Sequence, residues 1–448
     1  MMKTHTEQVA RPSFAEATWF WWKLGWISFG GTAAHIAIMH QVLVDQKRWV
    51  ENDHFLHALS HSMLLPGPEA QQLAIYLGWK LHGTKGGIVA GSFFILPSMF
   101  VLLSLSVMYV RFGTLPWVAA MFGGLKPAVV ALVILALVRI ARRALITPLQ
   151  WIVALGSFLA IACLHASIPL VMLAAVALGL LMVWRLPSLL GATSVVETAP
   201  HNAKLANLAW KRILRSSITI AATAALLWLL PLLSLYWFNH DFGFWKQLSL
   251  FFTRTAFVTI GGSYTVIPYV SQIAVTKYHW LTHAQMLDGF ALAETTPGPL
   301  IIVVAFVGFM AGFNHFHGSL VMGTIALLVT TFYTFLPCFL FVFAGVPFVE
   351  FTQGKRIIGA ALSLITAVVV AAMLDLVLFL VRGVLFPTGR LALTGFDGIA
   401  FIWIGISLLL LRVFKINVVA LIGLSLFAGL VRLIVHRSEE RRVGKECQ

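Results

Sequence analysis

The sequence predicts an all-α polytopic membrane protein, with about thirteen transmembrane helices arranged as two inverted repeats with broken half-helices. Three observations carry this. Of 448 residues, 60% are hydrophobic and only 10% charged, with a mean hydropathy of +0.91, whereas a soluble domain carries about 25% charged residues. A soluble enzyme of this length is excluded. The apolar residues fall into runs of about 18–25, the length that crosses roughly 30 Å of hydrocarbon. These runs are apolar all round, so the alternating strands of a closed barrel do not fit. Finally, the chain resembles itself at a displacement of 231 residues.

Thirteen spans follow the apolar runs, near 18–44, 55–80, 88–110, 116–138, 148–165, 168–185, 216–238, 247–276, 282–312, 318–346, 357–380, 397–412 and 415–435. Their polar breaks divide the chain into a first transmembrane repeat (1–185), a basic cytoplasmic linker (186–215), a connecting span (216–246) and a second repeat (247–436). Residues 437–448 stand apart. The run RSEERRVGKEC looks like the translation of a sequencing-library adapter and is excluded from fold reasoning. The N-terminus lacks the short apolar core and small-residue cleavage site of a signal peptide.

Lys and Arg number 31 against 16 Asp and Glu, a net charge of +15. In a soluble protein this would suggest nucleic acid; in a membrane protein it marks cytoplasmic loops. With the N-terminus in the cytoplasm and every span crossing once, seventeen basic residues fall inside, Arg139, Arg142, Arg143, Lys211 and Lys355 among them, and seven outside. No nucleic acid partner is expected. Cys163, Cys338 and Cys447 show no paired spacing, and no GxxxxGK[ST] motif for nucleotide occurs.

The 231-residue displacement superposes KLGWISFGG on RTAFVTIGG. In the same gap-free register Gln41 meets Gln272, Trp49 meets Trp280, Gly87 meets Gly318 and Lys23 meets Arg254. Pro66-Gly67-Pro68 meets Pro297-Gly298-Pro299. Chance matching explains this poorly, because Trp, Gln and a Pro-Gly-Pro triplet are rare and share one register. With thirteen spans the second half starts on the opposite side from the first, so the halves would be inverted about the seventh span. Inverted repeats interrupted at matching positions point to a secondary transporter and its binding site.

Two segments in each half are broken inside the membrane. SFGGTAAH (28–35) matches TIGGSYTV (259–266). Gly30, Gly31, Gly261 and Gly262 open the helix and leave backbone N–H groups that, in lipid, only a cavity or ligand satisfies. Thr32 and Ser263 follow, with hydroxyls placed to cap a half-helix or donate to a ligand. LLPGPEAQQ (64–72), which includes Gln71, matches ETTPGPLII (294–302). Pro66 and Pro297 end incoming helices, and Pro68 and Pro299 suit the first turn of the outgoing ones. Four helix N-termini converging near a pseudo-twofold would make an anion site. The alternative is that these are packing kinks.

Lys23, Arg254 and Lys126 lie inside apolar runs, where a central charge costs about 2.5–3.5 kcal/mol. Lys23 and Arg254 precede their Gly pairs by seven residues, about two helical turns. They favour an anionic ligand, with snorkelling to the interface as the alternative. Glu69 and Glu294 flank the breaks; a carboxylate beside an anion is unfavourable when ionised, which suits proton coupling. Charge balance with Lys23 or Arg254 is their other reading. Asp375 is read as a structural partner, and His35 as an anion donor or proton carrier. His54, His57 and His61 read as an interfacial amphipathic turn rather than a metal site, and Trp19, Trp21, Trp22 and Trp26 as an interface belt. No metal and no catalytic residue is expected.

The segments FGGTAAHIAIMHQ, LLPGPEAQQLAIYLGW, IGGSYTVIPYV and LAETTPGPLI resemble the chromate ion transporter (CHR) family in its long-chain, two-domain form, over essentially all of residues 15–435. The resemblance implies a multi-pass carrier of the bacterial inner (plasma) membrane that expels chromate and confers resistance, with sulfate as the competing anion. In that family the first break often reads FGGP, and small residues follow the Pro-Gly-Pro. Here Thr32 and Glu69-Ala70-Gln71-Gln72 depart from the pattern at the proposed site.

Together these predict a secondary transporter of tetrahedral oxyanions, chromate efflux driven by the proton motive force. Its partners would be a chromate or sulfate anion and the lipid bilayer, with no cofactor; a homodimer is left open. The alternatives are a sulfate uptake permease and, from another class, an intramembrane lipid-linked group transferase. The transferase would call for clustered acidic or metal-binding residues at the interface.

Overall fold

The computed structural model describes residues 12–28, 32–185, 203–238, 241–259, 263–352, 356–387 and 395–446. They are almost entirely helical, with no strand among them. The first half comprises α1 (Phe14–Ile27), α2 (Thr32–His40) running into a π-helical turn (Gln41–Gln46), α3 (Asn52–Leu64), α4 (Glu69–Phe112), α5 (Pro116–Ala144), α6 (Pro148–Ala162) and α7 (Ile168–Arg185). After α8 (Ala203–Phe238) the order recurs. The second half has α9 (Phe242–Val258), α10 (Ser263–Gln272) with a π-helical turn (Ile273–Lys277), and α11 (His283–Thr295). A 3-10 turn (Leu300–Ile302) leads into α12 (Val303–His315), followed by α13 (Leu320–Thr352), α14 (Arg356–Leu385), α15 (Gly398–Arg412) and α16 (Val418–Glu446).

Local chemistry sets several starts. Thr147 with Gln150 and Thr282 with Gln285 form reciprocal capping boxes on α6 and α11, each satisfying backbone donors that a helix leaves open. Asp397 caps α15 by accepting from Ala400 N at 3.0 Å.

The first expected span, 18–44, is not one helix. The 14 residues of α1 and 9 of α2 rise only about 21 and 14 Å, so neither crosses alone. Helix α1 ends at Ile27 and α2 starts at Thr32; Gly30 and Gly31, where the break was expected, lie outside the described residues. The span 247–276 divides in the same way into α9 and α10, with Gly261 and Gly262 also outside the described residues. At 44 residues α4 would be about 66 Å long if straight. It is bent back at His82 and Gly83 (φ 63), with Gly78 against Gly86 and Ile75 against Gly91. Helices α12 and α13 make the matching hairpin, with Gly308 against Thr330 and Gly312 against Ala326.

Six described helices are long and apolar enough to cross a membrane, and four shorter apolar ones accompany them. The thirteen expected spans thus do not each correspond to one continuous helix, because breaks such as the Pro-Gly-Pro loops cut several into shorter helices. Within the expected linker 186–215, α8 is helical from Ala203; residues 186–202 lie outside the described residues. Helix α16 continues through the charged run to Glu446.

The repeat extends to backbone detail. Arg48 and His279, 231 residues apart, both adopt the left-handed conformation, at φ 51 and 50. Trp49 N donates to Leu43 O at 2.8 Å and Trp280 N to Ala274 O at 2.9 Å. Further along, the halves exchange partners: α5 packs on α15 and α16, whereas α14 packs on α6 and α7. The core lies between them. Residues Ala70–Gly78 and Val303–Gly312 are buried on every side, as a helix apolar all round should be. Trp21, expected in an interface belt, is instead buried in the core at 1% exposure, while Trp19 and Trp26 are exposed. Exposed Leu155, Leu173, Leu230, Phe401 and Phe427 line the periphery, where lipid would cover them.

Candidate anion site

Each Pro-Gly-Pro loop reaches across to the break of the opposite half. Helix α1 ends at Ser28, whose hydroxyl bonds back to Leu24 O. Helix α9 ends at Thr259, whose hydroxyl donates to Thr255 O at 2.7 Å. The carbonyls of these two end residues accept the crossed bonds: Gly298 N donates to Ser28 O, and Gly67 N to Thr259 O, both at 2.6 Å. A turn this tight requires positive φ, 126° at Gly67 and 105° at Gly298, which glycine adopts without steric cost. Space requires glycine too: a Cβ on Gly298 would overlap Ser98 Oγ, and one on Gly67 would overlap Gln72 and crowd Cys338.

Polar atoms without protein partners gather at these loops. His35 is fully buried, and its Nε2 donates to Ser28 O at 3.1 Å, leaving Nδ1 without a partner. Its ring meets Phe94 edge-on at 5.3 Å. Gln71 is fully buried with neither amide atom bonded. Ser98 Oγ, beside Gly298, is likewise buried and unbonded. Gln72 closes its own loop by donating to Pro66 O. Buried orphans of this kind are rare and mark places where water, an ion or a ligand completes the bonding.

The expected residues distribute unevenly around this centre. Thr32 and Ser263 are the first residues of α2 and α10. Pro68 and Pro299 take the N-cap position, one step before the first turn expected of them. Glu69, half-buried, opens α4, where a helix N-terminus favours negative charge. Glu294 lines a cavity of about 250 Å³ together with Thr296 and Gly298.

Lys23 and Arg254 lie on exposed faces of α1 and α9. The inward stripe of α1 is Ala17, Trp21, Leu24 and Gly25, and Lys23 falls on the other side. Lys126 lies 2.9 Å from Asp288, so its charge is already balanced. Tyr109 OH donates to the other oxygen of Asp288 at 3.0 Å. This Lys126–Asp288–Tyr109 group joins α5, α11 and α4. Sequence reasoning missed Asp288, Tyr109 and Ser98, which carry no motif; only proximity in space reveals them.

Of the three histidines on α3, His54 is exposed and lies 3.2 Å from Glu51, His57 is exposed, and His61 turns inward to stack on Tyr76.

Comparison with known proteins agrees with this architecture. A family profile described as "Chromate transporter" matches residues 15–180 and 246–430. The chromate transport protein of Cupriavidus metallidurans is 30% identical over 83% of this chain and 84% of its own. That of Pseudomonas aeruginosa is 32% identical over 71% and 69%. An uncharacterized transporter of Methanocaldococcus jannaschii is 26% identical over 72% and 74%. No solved structure matches. These relatives are transport proteins rather than enzymes, and the chain belongs to the chromate transporter family.

Proposed function

We propose that this chain carries tetrahedral oxyanions, chromate foremost, out across the bacterial inner membrane, driven by the proton motive force, and so confers chromate resistance. The observation that supports this most is the crossed pair of bonds from Gly67 and Gly298, with orphaned Gln71, Ser98 and His35 around them. An unsatisfied buried polar group costs about 1–3 kcal/mol, so a polar occupant stabilises this centre. Gln71 Nε2 and Ser98 Oγ are donors, and His35 becomes a second donor when doubly protonated. Donors suit an anion. The names borne by the relatives favour chromate, and sulfate, with the same shape and charge, would compete.

In this reading the halves are inverted repeats related by a pseudo-twofold through the crossed bonds. The single connector α8, with one stretch, Ser217–Trp237, long enough to cross, supports the inversion. The free N–H groups after Gly30–Gly31 and Gly261–Gly262, with Thr32 and Ser263, complete the cage. Glu69 and Glu294 carry protons, and exposed Lys23 and Arg254 attract the ligand.

The test is radiolabelled chromate and sulfate flux in inverted membrane vesicles, with and without an uncoupler. Uncoupler-sensitive chromate accumulation is the expected result. Absence of any anion flux would overturn the reading, and accumulation in right-side-out vesicles alone would reverse its direction.

A further inference from the structure

The cavity beside Glu294 has a second feature that neither the loops nor the family account for. Its outer wall carries two exposed cations from different halves: Arg139, near the end of α5, and Lys415, three residues past the end of α15. Packing of α5 on α15 brings them together, and Lys415 is held there in a left-handed backbone (φ 51). Gly298 and Thr296 line the same cavity, so it connects the surface to a Pro-Gly-Pro loop. Three basic side chains elsewhere have acidic partners, Lys126 with Asp288, Arg432 with Asp397 and Lys47 with Glu16. Among the described residues Arg139 and Lys415 make no ion pair, and neither pairs with Glu294. The matching end of the first half differs: His165, 250 residues before Lys415 and also left-handed (φ 52), lies, like Arg382, within electrostatic reach of an acid, Asp375.

We infer that the Arg139–Lys415 cavity is an outer subsite that captures a small tetrahedral dianion before it reaches the Pro-Gly-Pro loops. This rests on the transport reading above. At about 250 Å³ the cavity falls below the ~300–1,000 Å³ typical of sites for drug-sized organic ligands, and an inorganic oxyanion suits it. Two uncompensated positive charges at its mouth raise the local concentration of anions and speed their entry. Both residues lie on the side that the Lys and Arg excess marks as cytoplasmic, so the subsite loads from the cytoplasm.

The test uses the purified full chain in neutral-lipid nanodiscs and measures equilibrium binding of chromate and of sulfate, alongside vesicle flux. For Arg139→Gln with Lys415→Gln, Kd and the KM of chromate flux should rise about tenfold and their salt dependence should flatten, with maximal flux kept. Arg139→Lys should retain binding. Arg142→Gln, on the same helix but outside the cavity, should change nothing. Unchanged Kd in the double variant, or an equal rise in Arg142→Gln, overturns the subsite. Wild-type binding that depends on Arg139 and Lys415 without any flux would leave the subsite standing and sink the transport reading. Repeating the measurement with anionic lipid separates free oxyanion from a headgroup phosphate: binding that persists supports the subsite, and binding that the lipid abolishes overturns it in favour of the headgroup.

Discussion

The two Pro-Gly-Pro loops share a backbone and differ in nearly every side chain after it. Both glycines take positive φ, and both donate at 2.6 Å to the end of the opposite half's broken helix. Yet Glu69, Gln71 and Gln72 in the first half correspond, 231 residues on, to Leu300, Ile302 and Val303 in the second. Gln71 is buried with its amide unbonded, whereas Ile302 is buried and needs no partner. The symmetric part builds the crossing of the halves. The asymmetric part gives one half the polar groups and the other the dry wall.

Four perturbations bear on that comparison. The largest effect falls on the Lys126–Asp288 pair, which has no counterpart in the other half: position 57, equivalent to Asp288, is an exposed histidine. Lys126→Ala leaves a buried carboxylate without its cation and should cost about 3–5 kcal/mol, read as a fall in thermal stability in detergent. Lys126→Met with Asp288→Leu should restore most of it. Next, Gly67→Ala and Gly298→Ala should each cost about 1–3 kcal/mol for the strained backbone, before any cost of overlap, and abolish flux. Markedly unequal losses would break the proposed symmetry of the crossing.

Third, Gln71→Ile should lower chromate flux more than tenfold while stability holds or rises, because two orphaned atoms are removed. The reciprocal Ile302→Gln should cost about 1–3 kcal/mol and restore no flux when combined with it. Full activity in Gln71→Ile would falsify the assignment of polarity to the first half.

The smallest effect lies at the surface. His315 bonds the Asp241 carboxylate at 2.6 Å and holds it below the usual carboxylate range, with Phe244 N assisting. A depressed folded value means that the stabilisation is present at neutral pH and is lost as pH falls through it. The pair is exposed, so it contributes no more than about 1 kcal/mol. An acid titration of thermal stability should lose this component in Asp241→Asn. Thr84 stands at the position of His315 in the first half, so no matching component is expected there.

What the sequence revealed follows from the range of the forces involved. Glycine and proline act on their own backbone, so the breaks at Pro66–Pro68 and Pro297–Pro299 are legible without a structure. The rare residues in register, Trp49 with Trp280 above all, exposed the repeat. Lys126 could be recognised as an intramembrane charge, but its partner lies 162 positions away on another helix. The orientation of Lys23 depends on which stripe of α1 packs inward, and its weak amphipathicity leaves that to tertiary contacts. Arg139 and Lys415 were legible only as topology signals, because the packing of α5 on α15 is what places them at one cavity.

The exchange of partners between α5 and α14 also sets an order of events during synthesis. Helix α5 is complete at Ala144, but its partner α16 begins only at Val418. At 5–20 residues per second of translation, the first half waits roughly 14–55 s for the helices that cover it. Throughout that interval its buried face, including the Lys126 charge, must be shielded by the insertion machinery or by lipid. Slowing translation late in the second half should therefore increase proteolysis of the nascent chain more than the same pause placed within the first.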